Sequence, residues 1–337
     1  MEITIDGTTD AATPLPHLTV HTRGVPSDLR FQILSLDGGG YRGIYAAAIL
    51  ACWERDLETS LVPHFDLVTG TSTGGIIALL LGAGMRPAEI VEFYVRSGPG
   101  IVPRARFRKP VQIFRTKYDA GPLRDALEGA LGDKRLAESV IPLIVSAYDL
   151  CNDEVHLFRT PHSSLLRRDY RERMVDVALA TSAAPTYLPV HPLRGLRLVD
   201  GGVFANNPSI LGVAEAVSKF GVALHDIRVL SIGTTSEVRA RPSRLDRGGL
   251  WAWRRDAVDV ILRGQSLAAR NAVLHLIGPD NLLRVDRSAP AGLLRLDGLS
   301  SDALMGRAEN VSRHYSARVA EQFIDHVARP YLPFYSP

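Results

Sequence analysis

Gly70-Thr71-Ser72-Thr73-Gly74 is a G-x-S-x-G segment between a strand-like run and a helix-like run. A sharp strand-to-helix turn pushes its central side chain out above a sheet edge, and flanking glycines let the backbone fold closely around it. The helix that follows turns its unpaired amides and positive dipole end on the same spot, favouring a developing anion there. Ser72 is therefore a candidate nucleophile and Gly70 and Gly74 the frame of its elbow; outside that context the same five residues read as an ordinary turn. A serine hydroxyl needs a base. The chain has ten histidines, and none ends a strand-like run followed by a glycine turn: His64 precedes a strand, His191 sits between prolines, and His225, His275, His314 and His326 lie in or beside helix-like text. Asp200 does hold such a position, in Leu196-Arg197-Leu198-Val199-Asp200-Gly201-Gly202. Asp-Gly is also a common turn pair, so the residue alone leaves both readings open.

Asp37-Gly38-Gly39-Gly40-Tyr41-Arg42-Gly43 is the third piece. Consecutive glycines leave backbone N–H groups uncrowded, so that they can converge on one oxygen as an oxyanion hole, with Arg42 supporting the loop or adding charge. Gly38, Gly40 and Gly43 also spell the dinucleotide fingerprint, which requires an Asp or Glu about 20 residues on, closing the next strand. That region here is the helix-like ERDLETS, and the next strand runs instead into Gly70-Thr71-Ser72. A Walker loop is excluded because no GK[ST] follows the glycines.

These residues must be carried by definite elements. FQILSL at Phe31–Leu36 reads as a buried strand, Gly43–Glu58 as a helix, Phe65–Thr69 as a second strand and Ile76–Leu81 as a second helix. Strand, turn and helix thus occur twice in succession, the pattern of a mostly parallel sheet with helices on its faces. Farther on, the pattern predicts helices after Pro87, from Pro122 and over Met174–Thr181. It predicts strands at Ile141–Tyr148, Glu154–Arg159, Leu196–Val199 and Ile227–Ile232, then mainly helix from Asp256 with a strand-like break at Leu282–Val285. There is no repeat and no low-complexity tract. The division expected is an aperiodic arm over 1–29, an α/β domain over 30–236 and a mainly helical extension over 237–337 packed on the same domain, with Glu237–Gly249 the candidate junction.

At 337 residues with 46% hydrophobic and 22% charged, the chain can bury a sizeable core without metal or disulfide help. A net charge of +3 permits attraction to anionic lipid or nucleotides and does not mark a binder of nucleic-acid polymers. Cys52 and Cys151 lack zinc-ligand spacing and read as reduced thiols in or near the core, which points to a cytoplasmic compartment. The most apolar run, Gly74 to Met85, falls short of the ~20 residues a membrane span needs. The N-terminus lacks the basic and apolar regions of a secretory signal.

Taken together, DGGGYRG at Asp37–Gly43, GTSTGG at Gly70–Gly75, the Ala180–Leu188 block and DGG at Asp200–Gly202, in that order, resemble the patatin-like phospholipases. The resemblance spans about residues 30–235. It implies a three-layer α/β/α fold around a central mostly parallel sheet and a lipid acyl hydrolase of phospholipase A type. The family works with a Ser–Asp dyad and no histidine, so it assigns Ser72 as nucleophile and Asp200 as base, with Gly38, Gly39, Gly40 and Arg42 forming the oxyanion loop. No metal is implied, and no D-x-[DN]-x-[DN]-G calcium loop is present. The text resembles bacterial members more than plant storage forms, and among the former are effectors of anti-phage defence that a cyclic oligonucleotide switches on against the cell's own membrane. That subgroup implies a cyclic dinucleotide activator and a cytoplasmic protein peripheral to the inner membrane when active. Arg104–Lys109 (RARFRK) and Trp251–Arg255 (WAWRR) combine positive charge with aromatics and suit a membrane surface, or, for the first, the phosphates of an activator. Ser301–Val327 is long and helix-like, and three uses are open to it: packing on the domain, capping the cleft or forming a homo-oligomer.

Overall fold

The structure is a computed structural model that describes residues 30–101, 116–235, 241–253, 256–287 and 301–337. The expected arm over 1–29, the basic segment Arg104–Lys109, and Arg254 and Arg255 lie outside the described residues. The strands in chain order are β1 (Phe31–Leu36), β2 (Leu67–Thr71), β3 (Leu143–Asp149), β4 (Glu154–Arg159), β5 (His191–Leu193), β6 (Leu196–Asp200), β7 (Ile227–Ile232) and β8 (Leu282–Val285). The helices are α1 (Gly43–Asp56), α2 (Thr73–Gly82), α3 (Pro87–Ile101), α4 (Gly121–Leu131) and α5 (Met174–Ser182). They continue with α6 (Gly202–Ala205), α7 (Ser209–Phe220), α8 (Leu250–Trp253), α9 (Ala257–Ile277) and α10 (Ser301–Phe323).

The sheet runs β3-β2-β1-β7-β8, and those five strands are parallel. β4 and β6 join β3 antiparallel, and β5 extends β6. Parallel strands buried on both faces carry near-continuous apolar runs, and β1 does so. Leu34 and Leu36 enter the core shared with α1, α2, α3, α5 and α10, while Phe31 and Ile33 enter the second core, shared with α7 and α9. Helices on both faces make three layers, α/β/α. α2 is buried along its whole length, which is why its text, TGGIIALLLG, is apolar on every side.

The structure departs from the sequence reading in places. The second strand lies two residues later than Phe65–Thr69, because Asp66 closes the entry: Gln32 N–H donates to Asp66 Oδ2 at 2.7 Å and Asp66 N–H to Gln32 O at 2.8 Å. Leu282–Val285 is more than a break in helical text, since it pairs with β7 from Val229↔Leu282 to Ile232↔Val285. The sequence reading passed over α7, whose apolar stripe is interrupted by Gly212. A Cβ there would stand 2.8 Å from Ile33 Cγ2, so the missing side chain is what lets the helix lie on the sheet. Cys52 is buried as expected, but Cys151 is exposed, because it sits in the tight turn between β3 and β4. α10 packs along α1, where Trp53 Nε1–H donates to Ser312 O at 3.0 Å.

Candidate active site

β1, β2, β7 and β8 all end at the same edge of the sheet, the side on which open α/β sheets hold ligands. At the end of β2 the chain turns directly into α2 through Ser72, which has φ 54 and ψ −123. A non-glycine residue in that conformation is strained by about 1–3 kcal/mol and persists only where its surroundings hold it. Two glycines allow the turn: a Cβ on Gly70 would collide with the Gly74 carbonyl, and one on Gly74 with Leu36 O. Ser72 N–H donates to Thr181 Oγ1 at 2.9 Å, and Thr181 Oγ1–H donates to Ser146 O at 2.6 Å, so α5 and β3 hold the elbow from below.

β3 also brings Asp200 to Ser72. One edge of β3 is filled by β4 from Ile144 to Asp149. The other edge is taken by β2 as far as Thr71↔Ser146, and by β6 from Ala147↔Asp200 onward. The antiparallel strand therefore takes over at the residue where the parallel one leaves. The position after Thr71 is Ser72, so the end of β6 faces the elbow. The Ser72 hydroxyl lies close enough to the Asp200 carboxyl to favour its ionised form, and Gly202 N–H donates to Asp200 Oδ1 at 2.7 Å. Both contacts favour the carboxylate, but burial outweighs them and pushes Asp200 up to about 6. Among the described residues, no histidine lines the cleft. His191 faces Asp176 at 3.4 Å, His162 faces Glu215 at 3.0 Å and His326 faces Asp66 at 2.8 Å.

The glycine loop lies across the elbow. A Cβ on Gly38 would stand 2.6 Å from Asn206 Oδ1 and 3.3 Å from Ser72 Cβ, so only glycine lets the backbone come this close. Gly38 N–H is engaged by Asn206 O at 3.0 Å, and Thr234 Oγ1–H donates to Gly38 O at 3.0 Å. Arg42 ties the loop to the end of β7, donating to Gly39 O at 3.2 Å and to Thr235 O at 2.8 Å. Asp37, at the loop's root, receives two bonds from Arg284 of β8, at 2.8 and 2.5 Å. Arg284 also donates to Ser231 Oγ at 2.7 Å and Asp286 Oδ2 at 2.9 Å, and these carboxylates hold the buried guanidinium protonated above its ordinary value. Arg284, Asn206 and Thr234 were missed in the sequence. Only Arg284 left a signal there, as the charged residue inside LLRV.

Ser72, Asp200, the glycine loop with Arg42, Asn206, Thr234 and Arg284 line one cleft of about 810 Å³. One flank is apolar and aromatic, with Ile76, Phe93, Ile101, Leu123 and Leu188, and suits a hydrocarbon chain. The other is formed by α9. Among the described residues no group of three His, Cys, Asp or Glu side chains converges in a way that could hold a metal ion, and no helix is long and apolar enough to cross a membrane.

The family described as patatin-like phospholipase matches residues 34–210, from β1 through the start of α7. The chain belongs to this family. It is a lipid-hydrolysing esterase. Among its relatives, a "cGAMP-activated phospholipase" of Pseudomonas aeruginosa is 34% identical over 79% of this chain and 80% of its own length. Proteins of the same description from Vibrio cholerae and Escherichia coli are 30% and 32% identical, each over 82% of this chain, covering 88% and 86% of their own lengths. The patatin-like fold expected from the motifs is therefore the fold observed, with the family's motif residues gathered at one end of its sheet.

Proposed function

We propose that this phospholipase cleaves carboxylic esters of membrane glycerophospholipids with Ser72 as nucleophile and Asp200 as its base. The observation that carries this reading is the close approach of a strained, buried serine to a buried carboxyl that burial pushes up to about 6. A carboxylate of ordinary pKa is a poor base for a hydroxyl, and burial brings Asp200 nearer to the working pH. In the first half-reaction Ser72 Oγ attacks the ester carbonyl carbon and its proton passes to Asp200. The C–O bond to the glycerol then breaks as Asp200 returns the proton to the leaving oxygen. In the second, water attacks the acyl-serine, gives a proton to Asp200, and the fatty acid departs as Ser72 Oγ recovers that proton. The tetrahedral oxyanion is held by the amides of Gly39 and Gly40, because the Gly38 amide is spent on Asn206. Gly38 supplies the close approach and Arg42 fixes the loop. Removing one such donor raises the barrier by about 3–4 kcal/mol.

A cyclic dinucleotide switches the enzyme on in this reading, which rests on three relatives described as cGAMP-activated. A phospholipase silent until signalled suits an effector in antiviral defence. A fluorophosphonate probe should label the wild-type protein and leave Ser72→Ala unlabelled. Fatty-acid release from phospholipid vesicles should rise at least tenfold when cGAMP is added. Labelling that persists without Ser72 contradicts the nucleophile, and full activity without nucleotide contradicts the switch.

A further inference from the structure

Resting on the reading of this cleft as the hydrolytic site, we propose that Arg263, Ser266 and Arg270 on α9 form a subsite for a phosphodiester. α9 is 21 residues long, yet its buried residues are Val273 and Ile277. Its earlier turns stand over the cleft, where Asp259, Arg263, Ser266 and Arg270 recur at helical spacing on one face. Ser266 ties that face to the elbow. Asn206 Nδ2–H donates to Ser266 Oγ at 3.1 Å, and Asn206 in turn accepts the Gly38 N–H beside Ser72. Arg263 and Arg270 lie one turn before and one turn after this point.

The charge on the wall favours an anion. The acidic residues of the cleft beyond Asp200 are already matched: Asp37 and Asp286 by Arg284, and Asp259 by Arg241. Arg270 makes no ion pair among the described residues, and it opens on the cleft. Thr235 lines the same cleft, and its hydroxyl is buried and unpartnered among the described residues. Guanidinium groups suit phosphodiesters because their planar forks give paired, charge-assisted hydrogen bonds. In a glycerophospholipid the phosphodiester lies a few bonds from the ester, matching a subsite beside the nucleophile. The same chemistry is present in a cyclic dinucleotide.

The test uses the full chain at saturating cGAMP, comparing wild type with the paired variants R263A/R270A and R263K/R270K. Each is assayed on phosphatidylglycerol and on diacylglycerol with the same acyl chains, in mixed micelles, and cGAMP binding is followed by equilibrium dialysis. If the group held is the lipid headgroup, the alanine pair lowers the ratio of kcat/KM for phospholipid to that for diacylglycerol at least tenfold, through KM, and the lysine pair recovers part of it. If it is the activator, cGAMP affinity falls at least tenfold and that ratio holds. Either outcome bears out the phosphodiester subsite. An alanine pair within twofold of wild type in both ratio and affinity overturns it. Wild-type protein that hydrolyses neither ester overturns the reading of the cleft, and the subsite with it.

Discussion

At Asp200 burial and chemistry pull against each other. Its carboxyl is raised to about 6 in the folded protein, above its ordinary value of 3.8. Below about pH 4 the side chain is protonated in both folded and unfolded chains, so it carries no penalty. As pH rises from there toward 6 the unfolded chain ionises first, and stability falls. Above 6 the loss is constant, of the order of 2–3 kcal/mol. Asp200→Asn is therefore expected to raise Tm near neutral pH, with the gain shrinking toward zero near pH 4, as thermal denaturation across pH would show. The same carboxyl must be ionised to accept a proton, so kcat/KM should rise through an apparent pKa of about 6 and then level off. A water-miscible organic cosolvent, which disfavours charge, should move that limb upward for a carboxyl and downward for an imidazole. A downward shift contradicts Asp200 as the titrating group.

Among the elements, β8 does more than widen the sheet. Through Arg284 it anchors Asp37 at the root of the glycine loop, although β8 lies outside the region matched to the family. Arg284→Gln keeps hydrogen-bond donors but removes the charge, and is expected to lower kcat tenfold to a hundredfold with little change in KM. Loss through KM alone would place Arg284 in binding rather than in loop positioning. The sequence displayed the three motif loops and β1, β4, β7 and β8 at their observed bounds, because glycine clusters and continuous apolar runs are local signals. What it concealed depends on partners far along the chain. α7 was hidden because Gly212 interrupts its stripe for the sake of Ile33, and the start of β2 shifted because Asp66 bonds Gln32. The role of β3 was hidden too, since no local pattern in LIVSAYD reveals that one edge is shared in turn by β2 and β6.

The molecule as a whole is closed by its C-terminal part. β8 completes the sheet, α9 walls the cleft, and α10 covers α1, with Gln32 donating to Phe323 O at 2.9 Å. A chain ended after Thr235 would expose Val285's partner strand and the face of α1 that holds Trp53, both within the core. Such a truncation is expected to aggregate rather than yield a folded hydrolase, which size-exclusion chromatography and far-UV circular dichroism would report. Release of fatty acid from phospholipid vesicles at saturating cGAMP, by wild type and by folded Asp200→Asn, bears most directly on the Ser72–Asp200 pair. Turnover by the variant is expected to fall about a thousandfold, within the range that a general base supplies. Turnover within a few fold of wild type would show that another group takes the Ser72 proton.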